Sequence, residues 1–480
     1  MRASLLLFSG IPLALAVSTS HSNSNEGYAS VCAHIASDIS SGSVYYPGST
    51  QYEEMTHRYA LSAGENSTCA VGPKTSWDVG RILRVVGSTR TPFAVQSGGH
   101  AQHRGFSSTR GVHISLRNFR SIVYNSTAKI VTIGTGLVWD EVYEALDPHG
   151  VSVAGGRVAG VGVGGLTLGG GNVTALELVK PNGEVVQVTE EGQPDLFFAL
   201  RGGLNNFGIV TAITLKVFPQ GPVWGGAIVY SDPAYFSKVA AATSRFTSQV
   251  TDPKANLLRG YSFSNGLVVQ TAIILYDAPS PPPGVFDDFL KIPSIQNTIT
   301  TQSFLSFFTK SSAGVPDVVP GIYVCSANFL QYLYYLLQAS FKSSRLSFGT
   351  GITSKSKSLT FLGFTPEPFL STILSHNTTP SAYPFTRSTA YCPMALSVGW
   401  ADPADEAFFS GALKQITRSI EAALVAEGHG DVTAAPLYPN YAFGDTPVSR
   451  IYGSNLARMT EIKGRVDPKD VMGLTGGFKL

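Results

Sequence analysis

Between positions 96 and 101 the chain reads Gln96-Ser97-Gly98-Gly99-His100-Ala101, a short loop that joins two glycines to an imidazole. Two further glycine runs follow, Gly160-Val161-Gly162-Val163-Gly164-Gly165 and Gly169-Gly170-Gly171. A diphosphate is held by backbone N–H groups that converge on it, and only glycine lets the chain approach closely enough. Gln96 to Ala101 can form one such nest. Gly160, Gly162, Gly164 and Gly165, with Gly169 and Gly170, can form an opposing wall. The pattern is not the dinucleotide fingerprint, because no GxGxxG opens a helix after a strand with an acidic residue about 20 positions on. Taken singly, either run also reads as a glycine-rich turn region without a ligand.

Such loops need rigid flanks, and the hydrophobic periodicity supplies them. Residues 76–86 read as a helix capped by Ser76, with Val79, Ile82, Leu83 and Val86 on one face. Residues 92–96 read as a short strand running into the Gly98-Gly99 turn. Strands are expected over 112–116, 122–124, 130–134, 175–179, 185–189 and 209–218, with helices over 138–146 and 195–200. The breaker cluster Pro219-Gln220-Gly221-Pro222 marks a boundary. Beyond it, strands over 225–230 and 268–276 alternate with helices over 235–246 and 404–427, a distinct α+β pattern.

Size and composition narrow the class. The 480 residues are 43% hydrophobic and 14% charged, with a formal net charge of +2. A chain of that length supports two domains, and without a basic stripe nucleic acid is not an expected partner. Arg2, the apolar run 5–17 and the small residues Ala14, Ala16 and Ser18 form a secretory leader over 1–20, too short to span a bilayer. The apolar patch at 330–337 is interrupted by Gln331 and ends at Gln338. Secretion makes Asn66, Asn125, Asn172 and Asn377, all in N-x-S/T sequons, glycosylation candidates. It also permits disulfides. Cys32 and Cys69 are the expected pair, while Cys325 and Cys392 form a second bridge or remain buried thiols. No CxxC occurs and the cysteine spacings match no metal site, so no metal is expected.

Taken together, the motifs resemble the FAD-linked oxidases of the vanillyl-alcohol-oxidase type, especially fungal members related to berberine bridge enzyme. The resemblance rests on Pro92-Phe93-Ala94-Val95 leading into Ser97-Gly98-Gly99-His100, on Gly155-Gly156-Arg157-Val158-Ala159 leading into the first glycine run, and on Leu168-Gly169-Gly170-Gly171. It continues through Asp195-Leu196-Phe197-Phe198-Ala199-Leu200-Arg201-Gly202-Gly203, Asn205-Asn206-Phe207-Gly208-Ile209-Val210-Thr211, Tyr438-Pro439-Asn440-Tyr441, Asp467-Pro468 and Gly476-Gly477-Phe478. It implies an α+β fold: a two-subdomain PCMH-type FAD-binding domain over 21–219, an antiparallel-sheet substrate domain backed by helices over 220–435, and a berberine-bridge-like segment over 436–480 that returns to the FAD domain.

The resemblance also implies roles. His100 is the covalent anchor of the flavin, with His103 as the nearby competitor. Some relatives add a second link through a Cys, and that position falls on Val158, so a single link is implied. Gly208, Val210 and Asn440 join the cofactor-binding set, and Arg157 either holds the cofactor or lies on the surface. The catalytic base comes from the Tyr-x-Asn-Tyr stretch, Tyr441 ahead of Tyr438. Because an ordinary tyrosine has a pKa near 10, a neighbouring cation or the flavin must favour the phenolate. The implied reaction is hydride transfer from a small organic substrate, such as a fungal secondary metabolite, to FAD in a monomeric enzyme. It is an alcohol oxidation or an oxidative cyclisation, with molecular oxygen giving hydrogen peroxide. A sugar or oligosaccharide oxidase is the enzymatic alternative. A non-catalytic relative is the other, because two departures from the family pattern stand near the site. Gly171 runs directly into Asn172-Val173, where the family inserts about a dozen residues, and Leu204 stands where relatives carry glycine.

Overall fold

The computed structural model describes residues 24–39, 43–264, 267–312, 318–329, 357–370, 379–384 and 392–480. The leader over 1–20, the sequon at Asn377 and the patch at 330–337 lie outside the described residues.

The first sheet holds β1 (Val44–Tyr45), β2 (Cys69–Val71), β3 (Phe93–Gln96) and β4 (Val112–Ser115) in the order β1-β2-β4-β3. The last three strands run parallel, and the helix Ser76–Thr89 crosses over between β2 and β3. That helix is capped by Thr75, not Ser76: Thr75 Oγ1 accepts from Asp78 N at 3.1 Å, and the Asp78 carboxylate accepts from Thr75 N at 3.1 Å. The reciprocal pair satisfies two end donors that Ser76 could not reach. Cys32, on the helix Ser24–Asp38, is bonded to Cys69 at the start of β2. Both are fully buried, so this disulfide pins the N-terminal helix to the sheet edge.

The second sheet is antiparallel, with β5 (Ile122–Asn125), β6 (Ile130–Gly134), β8 (Ala175–Val179), β9 (Val185–Thr189) and β10 (Ile209–Lys216) in the order β5-β6-β10-β8-β9. Between β6 and β8 the chain makes β7 (Val151–Ser152), which pairs with β11 (Phe218–Pro219). The strand expected over 209–218 therefore breaks at Val217, whose N–H turns to Lys129 O at 3.0 Å. Pro219 has no N–H for a central ladder and ends up on this edge ribbon.

The third sheet is an eight-stranded antiparallel one. It holds β12 (Val223–Tyr230), β13 (Ala255–Ser264), β14 (Leu267–Tyr276), β15 (Gln296–Asn297), β16 (Thr300–Gln302), β17 (Gly321–Phe329), β18 (Leu359–Pro366) and β19 (Cys392–Trp400). The order is β15-β12-β14-β13-β18-β19-β17, with β16 also on β12. Two helices cover it. Phe236–Gln249 packs Val239 and Phe246 on Ile228, Leu257 and Ile274. Glu406–Ala426 packs Phe409, Leu413 and Ile416 on Leu396, Val398 and Trp400. In the register of β17 on β19, Cys325 lies opposite Leu396 and Phe329 opposite Cys392. Cys325 and Cys392 are thus offset by four positions, roughly 13 Å of strand. A disulfide needs Cα atoms within about 7 Å, a separation that this backbone register does not give.

After this sheet the chain returns to the first half. The helix Leu456–Val466 places Arg458 and Arg465 on Asp195, Thr475 bridges Phe93 at the edge of β3, and Asn206 Nδ2 donates to Phe478 O at 2.9 Å. The result is the α+β arrangement that the motifs imply. The glycine loops sit in the first half, and the sheet β12–β19 lies beyond the ribbon of β7 and β11.

Candidate active site

The loop at Gln96 is set by its side chain. Gln96 is buried, and Nε2 donates to His57 O at 2.7 Å and to Met55 O at 3.3 Å. Gly99 then turns at φ +73°, where an L side chain is strained. Ser97 ties the loop to its surroundings. Its Oγ donates to Thr135 O at 2.5 Å and accepts from Gly164 N at 3.2 Å, while Thr135 Oγ1 donates to Val210 O at 2.8 Å. A Cβ on Gly98 would lie 2.4 Å from Gly162 Cα. The two glycine segments therefore touch, backbone on backbone, and form one floor instead of two walls across a gap.

Not every glycine is open to a ligand. Gly160 N donates to Asp140 Oδ2 at 2.8 Å, and Gly162 bridges Val138. Gly208, at φ +141°, lies where a Cβ would meet Val179 O at 2.3 Å, and Val210 is buried in the ladder opposite Leu178. Both serve closure of the sheet. Gly165 is exposed in the first turn of the short helix Val163–Leu168, and a Cβ there would meet nothing within 4 Å, as at Gly160, whose N–H however is already engaged.

The two histidines of the loop have different surroundings. His100 packs under Tyr59, ring centroids 4.1 Å apart, and its Nδ1 is buried with no hydrogen-bond partner. Burial lowers its pKa to about 4, which leaves the imidazole neutral with a free nitrogen. His103 Nε2 is instead 3.0 Å from Ala442 O, and its ring stacks on Tyr323. Ala101 follows His100 half-buried.

Across from the loop stands the Tyr438–Tyr441 turn, closed by Tyr441 N donating to Tyr438 O at 3.0 Å. Asn440 fits over Gly169, where a Cβ would come within 2.2 Å of its Nδ2. That amide donates to Tyr438 Oη at 2.8 Å and to Leu166 O at 3.4 Å. Gly170 stays open, with Tyr438 at the limit of contact. The rings of Tyr438 and Tyr441 meet edge to face at 5.0 Å.

The structure adds a residue that sequence reasoning missed. Glu367, just past β18, accepts from Tyr441 Oη at 2.7 Å through Oε1, and the same oxygen pairs with Arg157 Nη2. Arg157 Nη2 also lies 3.4 Å from Tyr441 Oη, and its guanidinium rests over the Phe369 ring at 5.9 Å. Glu367 is 4% exposed, whereas the Arg157 side chain keeps 41% of its surface open to solvent. Burial first, then the Glu367 charge, push the Tyr441 hydroxyl well above the usual phenol range, and Arg157 offsets this only in part. Burial opposes the Arg157 charge, but Glu367 and Tyr441 outweigh it and raise the guanidinium. A cation is therefore present, as a tyrosine base would need, but the carboxylate has claimed it. The only local trace of Glu367 in the sequence is a glutamate set between Pro366 and Pro368.

The Gly171 junction closes without a gap. Gly171 N donates to Thr167 O at 2.7 Å, Val173 is buried, and Thr174 N donates to Thr214 O at 2.9 Å ahead of β8. Gly170, Asn172 and Asn440 are left exposed at the rim. Leu204 adopts φ +54°, the left-handed conformation that a glycine accommodates without strain.

These residues fit an FAD. An orphaned, neutral imidazole nitrogen sits beside a glycine floor, and Gly165 offers open space where a side chain would block a diphosphate. Known proteins agree. Residues 67–189 match the family model of the FAD binding domain, and residues 437–475 that of berberine and berberine-like proteins. An uncharacterized FAD-linked oxidoreductase of Arthroderma benhamiae is 37% identical over 278 residues, 54% of this chain and 55% of that protein. This chain thus spans about half the length of that relative. The FAD-dependent monooxygenase sdcF of Emericella nidulans is 33% identical over 329 residues, 63% of this chain and 68% of that one. A solved chitooligosaccharide oxidase shares the fold with a TM-score of 0.74 at 19% identity, over 95% of this chain and 100% of the other. With both family segments in order around a cleft that suits the cofactor, the chain belongs to the FAD-linked oxidoreductases related to berberine bridge enzyme.

Proposed function

We propose that this oxidoreductase removes a hydride from a small organic substrate, an alcohol or a precursor of oxidative ring closure, in the cleft between the glycine floor and Glu367. The observation that carries this reading is the Tyr441–Glu367–Arg157 constellation at the cleft wall. When bound, FAD supplies the two-electron acceptor, and molecular oxygen is the final acceptor, giving hydrogen peroxide. A substrate hydroxyl passes its proton to Tyr441 Oη as Tyr441 passes its own to Glu367, so the phenol relays and the ion-paired carboxylate receives. Arg157 pairs with that carboxylate through Nη2. Tyr438 is less suited to the role, because its hydroxyl accepts from Asn440.

His100 is the proposed single covalent anchor. Its Nδ1 has no hydrogen-bond partner, whereas His103 is engaged with Ala442 O and Val158 carries no thiol. Ser97, Gly98, Gly99 and Gly165 line the diphosphate. The proposed location is extracellular, and Asn66, Asn125 and Asn172 are exposed where a glycan could be added. The relative named as an FAD-dependent monooxygenase supports flavin-based redox chemistry. A reducing oligosaccharide is the second reading, favoured by the exposed rim at Gly170, Asn172 and Asn440 and by the fold shared with a chitooligosaccharide oxidase.

Purified protein is expected to be yellow, with its colour in the pellet after acid precipitation. His100→Ala moves all colour to the supernatant. Oxygen uptake with benzyl alcohol, cinnamyl alcohol, cellobiose and chitobiose separates the two substrate readings. A colourless preparation would overturn both and leave a non-catalytic relative.

A further inference from the structure

We infer that His103 is a positioning residue, which clamps the turn bearing Tyr441 onto the loop bearing His100. The inference rests on the roles proposed above for those two residues. His103 lies three residues after His100, and its partner Ala442 directly follows Tyr441. The contact spans 339 positions of sequence: His103 Nε2 is 3.0 Å from Ala442 O. A carbonyl can only accept, so Nε2 carries the proton and donates. One hydrogen bond therefore joins the loop of the proposed anchor to the turn of the proposed relay.

The imidazole is held in place by its neighbours. It stacks on Tyr323 of β17 with centroids 5.6 Å apart and 25° between planes, and Phe106 meets it edge-on at 5.1 Å. Tyr323 Oη donates to Glu406 Oε1 at 2.5 Å, and Glu406 Oε2 lies 3.7 Å from the guanidinium of Arg104, the residue next to His103. The helix that carries Glu406 also reaches the Tyr441 turn from its far side, where Lys414 Nζ donates to Asp445 Oδ2 at 2.5 Å. The anchor loop, β17, the helix Glu406–Ala426 and the relay turn thus close on one another around His103. Among the contacts described, neither Tyr323, Glu406, Lys414 nor His103 touches the cleft residues Glu367 or Arg157. The effect of His103 on chemistry must pass through the backbone at Ala442.

Displacing a reacting group by about 1 Å costs on the order of a hundredfold in rate. His103→Ala removes the donor and the ring, whereas His103→Gln restores an N–H donor of similar reach. Both variants are compared with the wild-type protein by amide hydrogen exchange of the peptide 438–446, a measurement that needs no substrate. The amides of Tyr441 and Ala442 are expected to exchange at least about tenfold faster in His103→Ala and to return to within about threefold in His103→Gln. With the panel alcohol or sugar that turns over, kcat is expected to fall about 10- to 100-fold in His103→Ala with KM little changed, and to recover in the glutamine variant. Flavin stays in the acid pellet in both. Wild-type exchange in His103→Ala overturns the clamp, and so does equal impairment of the two variants. Loss of pelleted flavin makes His103 the anchor and also overturns it. Tyr441→Phe separates the two ideas: if it retains full kcat, the relay reading fails while the exchange data still report on the clamp.

Discussion

The sharpest consequence of the cleft geometry concerns Glu367→Gln. Gln differs from Glu by the exchange of one oxygen for an NH2 group, so Oε1 still accepts from Tyr441 Oη across the 2.7 Å contact and leaves no orphaned donor. The amide, however, cannot accept a proton. Loss of a general base typically costs 10² to 10⁴ in rate, about 3 to 5.5 kcal/mol of activation free energy at 1.36 kcal/mol per decade. The effect on folding should be far smaller. Breaking an ion pair with both partners buried costs about 3–5 kcal/mol. Here only Glu367 is buried, and Arg157, at 41% exposure, is rescued by water. Roughly 1 kcal/mol is expected, a Tm shift of about 1 °C for 480 residues at roughly 2.1 cal/mol/K each. Oxygen-uptake kinetics, acid-precipitable flavin and a thermal melt on the same preparation read all three quantities. The expected result is a kcat at least a hundredfold lower, with flavin retained and the melt nearly unchanged. A kcat within tenfold of wild type would refute Glu367 as the proton acceptor. A melt lowered by more than about 10 °C would make it a structural residue instead.

Two other expectations follow from backbone strain and from burial. At Leu204, φ +54° costs a β-carbon about 1 kcal/mol, so Leu204→Gly should be more stable than Leu204→Ala by about that amount, the reverse of the usual order; urea midpoints decide, and the usual order would remove strain from the account. His113 on β4 is 1% exposed with Nε2 3.0 Å from Met55 O, and burial first, then the Arg58 charge, lower its pKa to about 3. The folded chain therefore binds fewer protons than the unfolded chain below about pH 6.5, where an unfolded histidine titrates. Stability is full above that pH and is lost as pH falls toward 3, by at most about 5 kcal/mol. Between pH 7 and pH 4.5 the loss from His113 should be about 3 kcal/mol, and His113→Gln should shrink the difference in urea midpoints between those two pH values; an unchanged difference would assign acid sensitivity elsewhere.

Much of this molecule is written locally. The strands at 130–134, 175–179 and 185–189 have the bounds their alternation implies, because a strand's pattern needs no distant partner to be read. The glycines of the floor were legible for a related reason. Gly98 and Gly162 meet at a distance no side chain allows, so the requirement is stamped on residue type at each position. The helix cap falls one residue before the expected Ser76, since Thr75 and Ser76 are chemically alike and only the approach of Asp78 chooses between them. What the sequence could not disclose is which groups meet across the cleft. Glu367 lies 74 positions from Tyr441 and 210 from Arg157. His103 is told apart from His100 by a carbonyl 339 positions away. A carboxylate or an imidazole has the same local preferences wherever it sits, so its chemistry is decided by neighbours that only the packing of the three sheets brings within hydrogen-bond reach. Residue type and local spacing thus carried the resemblance that implies FAD, while tertiary structure alone brought Glu367, Tyr441 and Arg157 within reach of one another.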